Sequence, residues 1–122
     1  MELKNIFGVQ ELIFTSFADS RGKFNRIFDI DWLEEDFIIE QVNVSINPSQ
    51  HTLRGMHFQT PPYDHSKLIT VISGTIIDVV LDIRLNSPTF GKFFHCILNQ
   101  EIPKGLFIPP GVAHGFCVIS EI

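Results

Sequence analysis

Residues 75–84 read Thr-Ile-Ile-Asp-Val-Val-Leu-Asp-Ile-Arg, an apolar run into which charge enters only at alternate places. In an extended chain successive side chains point to opposite sides. Asp78, Asp82 and Arg84 therefore share one face, and Ile77, Val79, Leu81 and Ile83 share the other. Ionisable groups gathered on one face of an otherwise apolar strand mark the wall of a lined cavity or a solvated surface. Residues 68–72 and 75–83 flank Ser73-Gly74, a two-residue connection that predicts a tight hairpin.

Strand signals dominate the rest of the chain, with β-branched and aromatic runs broken at short intervals by Gly, Pro, Asn and Asp. Gln41-Val42-Asn43-Val44-Ser45-Ile46 alternates polar with apolar and predicts a half-buried strand. Residues 31–36, with acidic side chains at the start, form the one good helix candidate. Many short strands with regular turns predict an all-β antiparallel barrel or sandwich with at most one short helix. A length of 122 residues suits a single domain spanning 1–122, and no repeat, linker or low-complexity tract divides it. Twelve Phe against one Trp and one Tyr are expected to fill the core, because Phe has no polar handle.

A net charge of −5 argues against nucleic acid as a partner, since phosphate contacts need a broad basic face. An anionic small ligand stays compatible wherever cations converge. Met1-Glu2-Leu3-Lys4-Asn5 lacks the features of a secretory signal and no run reaches membrane-spanning length, so the expected setting is cytoplasmic, without a membrane partner. Cys96 and Cys117 sit in strand-like apolar contexts and read as free buried thiols.

The chemistry is concentrated between residues 54 and 67. Arg54-Gly55-Met56-His57-Phe58-Gln59 and Lys67 bring a guanidinium, an imidazole and an ammonium into one strand-and-loop unit, which suits binding an anion and moving a proton beside it. Set against this, His57 reads as a hydrogen-bonded structural histidine and Lys67 as a solvated lysine. Arg54 and His57, three apart, fall on opposite faces of a regular strand unless Gly55 bends the chain, and glycine is where bulges are cheap. Cations also flank a glycine in residues 19–28, where a solvated hairpin is the bland alternative, and Ser87-Pro88-Thr89-Phe90-Gly91 is most simply a turn.

Could His57, His65, His95 and His114 hold a metal? Pro109-x-Gly111-x-x-His114 resembles the second motif of cupins, in which such a histidine often ligates an ion. The usual first motif has two histidines one residue apart, whereas Gln59 stands where the partner of His57 would be. The reading is a cupin-type double-stranded β-helix, or jelly-roll, barrel without a metal.

Gln41-Val42-Asn43, the Leu53 to Gln59 motif, Lys67-Leu68, Asp78-Val79-Val80-Leu81-Asp82-Ile83-Arg84, Ser87-Pro88-Thr89-Phe90-Gly91 and Ile108-Pro109-Pro110-Gly111-Val112-Ala113-His114-Gly115-Phe116 occur in order. Together they closely resemble the dTDP-4-dehydrorhamnose 3,5-epimerase family. The resemblance implies a homodimeric enzyme of deoxysugar and cell-surface polysaccharide biosynthesis. It would use no cofactor and act at C3 or C5 of a dTDP-linked 4-keto-6-deoxyhexose. By motif match His57 is the base and Lys67 faces the 4-keto oxygen. Arg54 and His114 line the sugar and diphosphate pocket, and Arg21, Gln41 and Asn43 contact the nucleotide end, across the dimer if need be. Asp78 and Asp82 carry no role from the resemblance, although an acidic partner orienting His57 or Lys67 would make physical sense.

Two departures qualify what the resemblance implies. Arg26 replaces a glutamate that contacts the nucleotide base in many members. The family acid is a tyrosine on the strand after the Ala-His-Gly-Phe motif, and the chain reaches Ile122 before it, so it is expected to be C-terminally short, with Tyr63 its only tyrosine. The alternative to an epimerase is thus a sugar-nucleotide-binding module that lacks the acid. A related 3,4-ketoisomerase is disfavoured by Gln59, where those enzymes resemble Arg-Gly-x-His-x-His.

Overall fold

A computed structural model describes residues 6–32 and 38–120. Nine strands and one 3-10 turn are formed among them: β1 (Gln10–Ile13), β2 (Thr15–Asp19), β3 (Gly22–Arg26), the turn Ile30–Trp32, β4 (Leu53–His57), β5 (Lys67–Ile69), β6 (Thr75–Asp82), β7 (Phe93–Asn99), β8 (Lys104–Ile108) and β9 (Val112–Val118). One sheet has the order β4-β9-β6-β7, a second β1-β8-β5, and β2 with β3 forms a separate hairpin. Among the described residues these strands pair antiparallel. This is an all-β, cupin-like jelly roll, within the barrel-or-sandwich class that the strand pattern predicts and of the kind that the motif resemblance implies. Of the expected helix, only the 3-10 turn is seen, with Trp32 stacked on Phe14 at 5.3 Å, and residues 33–36 lie outside the described residues. Among the described residues no helix is long and apolar enough to cross a membrane.

The register of the larger sheet follows from the alternation in β6. Ile76, Asp78, Val80 and Asp82 pair with Val118, Phe116, His114 and Val112 of β9 on one side, and Ile76, Asp78 and Val80 pair with Leu98, Cys96 and Phe94 of β7 on the other. Directly opposed residues share a face. This face meets Leu106 and Ile108 of β8 in the core, where Val80, Leu106 and Ile108 are at most 1% exposed. Each such aliphatic side chain contributes about 1.5–3 kcal/mol by leaving water. The polar face of β6 is therefore the lined interior, not a solvated wall.

Three expectations need correction. The arms around Ser73-Gly74 do not form a hairpin, because β5 pairs with β8 in one sheet while β6 pairs with β7 and β9 in the other. The turn carries the chain between sheets, which local spacing does not reveal. Residues 41–46 form no strand and are exposed, since no strand among the described residues lies beside them to complete a ladder. Many phenylalanines are surface residues: Phe14 and Phe94 are buried, while Phe7, Phe17, Phe24, Phe58, Phe90 and Phe93 are more than half exposed. The interior face is largely supplied by aliphatic and polar side chains, which leaves these rings on the outside.

Beyond β6 the chain makes a polar knot. Asp82 is fully buried and its carboxylate accepts hydrogen bonds from Arg84 Nε at 2.9 Å and Nη2 at 3.0 Å, from Ser87 Oγ at 2.5 Å and from Thr89 Oγ1 at 2.6 Å. Thr89 Oγ1 accepts from the Phe7 amide at 2.9 Å, and Arg84 Nη2 donates to the Phe7 carbonyl at 2.5 Å. The Ser87–Gly91 region is thus a turn, as expected, whose side chains also fasten the N-terminal segment. Burial would raise the Asp82 carboxyl, but its donors outweigh burial and hold it well below the usual carboxylate range.

Candidate active site

The site begins with an irregularity in β4. Arg54 pairs with Phe116 and His57 with His114, so three steps along β4 match two along β9. The extra residue is a β-bulge. Gly55 sits inside it with φ of +98°, and a Cβ there would lie 2.6 Å from the His114 carbonyl oxygen and 2.7 Å from Gly115 Cα. Gly115 completes the fit from the other strand, because a Cβ on it would lie 2.7 Å from the Arg54 carbonyl oxygen. Two glycines face to face let the backbones close over the bulge. As a result Arg54 and His57 share the inward face of β9, as the glycine in the motif allowed.

The four residues grouped by this geometry are Arg54, His57, Lys67 and His114. Lys67 opens β5 and pairs with Ile108, whose side chain is in the core, so the ammonium enters the same interior from the facing sheet. Burial is graded across the group. His114 is buried and Lys67 half-buried, whereas Arg54 and His57 stand exposed at the mouth. Arg54 Nε donates to Asn47 Oδ1 at 2.7 Å, which ties the guanidinium to the segment before β4.

Deepest is Asp78, which is 0% exposed. Both of its oxygens lie 2.9 Å from His114 Nε2. Burial pushes its carboxyl above the usual range, while the His114 hydrogen bond and the charges of His114 and Lys67 pull the other way. An acidic partner for His57 or Lys67 is what the sequence suggested; the direct hydrogen-bond partner is His114 instead, with Lys67 near enough to act through its charge. The signal was present, since Asp78 is on the polar face of β6, but strand pairing decides which imidazole it meets.

The other candidates are not gathered here. Arg21 lies at the β2–β3 turn, where its Nη2 bonds Asp19 at 2.7 Å and remains solvated. Gln41 and Asn43 are exposed on the unpaired segment. Tyr63 is 74% exposed in a turn closed by its own amide on the Thr60 carbonyl. Among the described residues no group of three His, Cys, Asp or Glu side chains is placed to hold a metal. The thiols of Cys96 and Cys117 are free and occupy opposite faces of the sheet, since Cys96 pairs with the inward Asp78 and Cys117 with the outward Ile77.

The arrangement can bind an anionic group at its cationic mouth, take a proton with the imidazole of His57 and stabilise an oxyanion with Lys67. Comparison with known proteins agrees in kind. The family model for dTDP-4-dehydrorhamnose 3,5-epimerase matches residues 4–122. The Shigella flexneri dTDP-4-dehydrorhamnose 3,5-epimerase is 43% identical over 108 residues, 86% of this chain and 60% of the relative. The Mycobacterium tuberculosis protein of the same name is 34% identical over 123 residues, 93% of this chain and 58% of its own. The crystal structure of the Bacillus anthracis dTDP-4-dehydrorhamnose 3,5-epimerase with TDP and PPi bound superposes with a TM-score of 0.87 at 35% identity, covering 93% of this chain and 67% of that one. A 4-keto-6-deoxy sugar epimerase from the novobiocin gene cluster of Streptomyces spheroides gives 0.89 at 32% identity, over 95% and 60%. The chain spans about 60% of the length of these two curated relatives.

Proposed function

Because the chain belongs to the dTDP-4-dehydrorhamnose 3,5-epimerase family, we propose that it binds a dTDP-linked 4-keto-6-deoxyhexose and removes the proton from C3 or C5 of the sugar. The observation that carries this reading is the β4 bulge, which turns Arg54 and His57 to the same interior that Lys67 enters from the facing sheet.

A C–H bond beside a ketone becomes acidic when the developing enolate oxygen is stabilised. Lys67 supplies that stabilisation as a fixed positive charge at the carbonyl, in a half-buried position where the Coulomb attraction is less screened than in bulk water. His57 takes the proton, which needs an imidazole that is neutral at working pH. Arg54 and His114 line the sugar and diphosphate. Reprotonation on the opposite face of the enolate, which inverts the carbon, belongs to a group other than these four. No step draws on a metal or organic cofactor.

The nucleotide end falls to Arg21, Gln41 and Asn43, and their separation from the pocket supports a homodimer in which one protomer's arm completes its partner's site. Val42, Val44 and Ile46 are 82%, 67% and 79% exposed, an alternating apolar edge suited to lying along another chain. The two unpaired thiols accord with a cytoplasmic setting.

Incubation with dTDP-4-keto-6-deoxyglucose in heavy water tests the reading. Deuterium should enter C3 or C5, and His57→Ala should stop it. Exchange at the buffer rate by the unaltered protein defeats the catalytic claim, and dTDP binding without exchange leaves a sugar-nucleotide-binding module.

A further inference from the structure

Asp78 is a fully buried carboxylate at the floor of the pocket, bonded through both oxygens to His114 Nε2 at 2.9 Å. We propose that Asp78 is a positioning residue, which locks the His114 ring with its Nε2 proton directed to the barrel floor. This rests on the sugar-binding and proton-transfer reading of Arg54, His57, Lys67 and His114.

An ionised carboxylate only accepts hydrogen bonds, so a ring nitrogen equidistant from its two oxygens is the protonated one. In the neutral ring that leaves Nδ1 as an acceptor, free to take a hydroxyl proton from a ligand. The tautomer matters because the opposite one would present a donor in its place. The position of Asp78 also matters: it is held in register between Phe116 of β9 and Cys96 of β7, so its carboxyl cannot swing to the solvent. The ionisable groups that face it or share its face are His114 on β9, Lys67 on β5, Cys96 on β7 and, four residues along its own strand, Asp82. Asp82 is already paired with Arg84, which leaves the His114 ring as the hydrogen-bond partner of Asp78 and Lys67 as the cation that acts on it through charge. Burial works against the charged form of Asp78, and its hydrogen-bond partner is a pocket imidazole, not a framework group such as the Arg84 that holds Asp82. A buried carboxyl bonded to a pocket imidazole through both oxygens points to a role in the site.

The test does not depend on turnover alone. Nitrogen NMR of the full chain, with the His114 resonances assigned, should show Nε2 protonated and Nδ1 unprotonated in the neutral ring. Asp78→Asn, which keeps shape and removes charge, should release that tautomer preference. Deuterium exchange into dTDP-4-keto-6-deoxyglucose should fall about tenfold or more, the order carried by outer partners of functional histidines. Asp78→Glu should restore part of it. An Nδ1-protonated His114 in the unaltered protein overturns the proposal, as does an Asp78→Asn protein with the tautomer and exchange rate unchanged. If Asp78→Asn does not fold, the spectrum of the unaltered protein still decides. If the unaltered protein shows no exchange while His114 holds the stated tautomer, the epimerase reading fails and the positioning of His114 stands.

Discussion

Gly55→Ala tests the geometry on which the site depends. An alanine at φ of +98° occupies a region that costs a residue with a Cβ about 1–2 kcal/mol. Its Cβ would lie 2.6 Å from the His114 carbonyl oxygen and 2.7 Å from Gly115 Cα. Both are backbone atoms and cannot rotate aside, so relief requires β4 to move from β9. Forced overpacking of this kind costs about 1–3 kcal/mol. The two effects together amount to about 2–5 kcal/mol, a large part of the roughly 5–15 kcal/mol that a domain has. The strand can escape by losing the bulge, but a one-residue change of register turns either Arg54 or His57 away from the pocket. Urea denaturation should therefore show the loss of stability. Hydrogen exchange should show unprotected β4 amides, and deuterium entry into the sugar should fall even at temperatures where the variant is folded. A Gly55→Ala protein within about 0.5 kcal/mol of the original, with β4 still protected and exchange intact, would refute the argument.

Asp82→Asn should cost about 3–5 kcal/mol by leaving Arg84 without its buried partner, read by denaturation at neutral pH. Since the Asp82 carboxyl is lowered by folding, its contribution is present above the unfolded value of about 3.9 and is lost as pH falls toward the folded one; Asp82→Asn should flatten that acid limb. For Asp78 the sign reverses. A carboxyl raised by folding favours the native state below the unfolded value of about 3.9 and costs stability as pH rises through the folded value, so Asp78→Asn should melt no lower than the original at neutral pH, measured by calorimetry. Cys96 is buried and its thiol is pushed up to about 11 by burial first and by the charge of Asp78 next, so iodoacetamide should modify half-buried Cys117 first, and mass spectrometry showing equal rates would contradict this. Val44→Asp should shift a dimer toward monomer in sedimentation velocity, with little change in protomer secondary structure.

Several features were legible in the chain because they are local. Alternation in residues 75–84 placed Asp78 and Asp82 on one face, and the structure shows that face to be interior. Gly55 between Arg54 and His57 marked the only economical place for a bulge, and the register shift falls there. The motif order pointed to the family, which needs no coordinates. Residues 41–46 show the limit of the same logic, since a correct alternation does not provide a neighbouring strand, and the expected half-buried strand lies exposed. The phenylalanines show another, because an apolar side chain leaves open which apolar surfaces find a partner within one chain.

The sequence by itself determined the strand-rich character of the chain, the sharing of one face by Asp78 and Asp82, and the glycine at which β4 could bulge. Each depends on dihedral preference or on period, properties that reach only a few residues along the chain. Only the tertiary structure decided that β5 and β6 join different sheets across Ser73-Gly74, that Lys67 enters from the wall opposite His57, and that Asp78 meets His114 directly. Those facts are set by pairings between segments far apart in sequence. The physical reason is that many partners satisfy a strand's hydrogen bonds equally well, and the choice among them is made by closing one shared core.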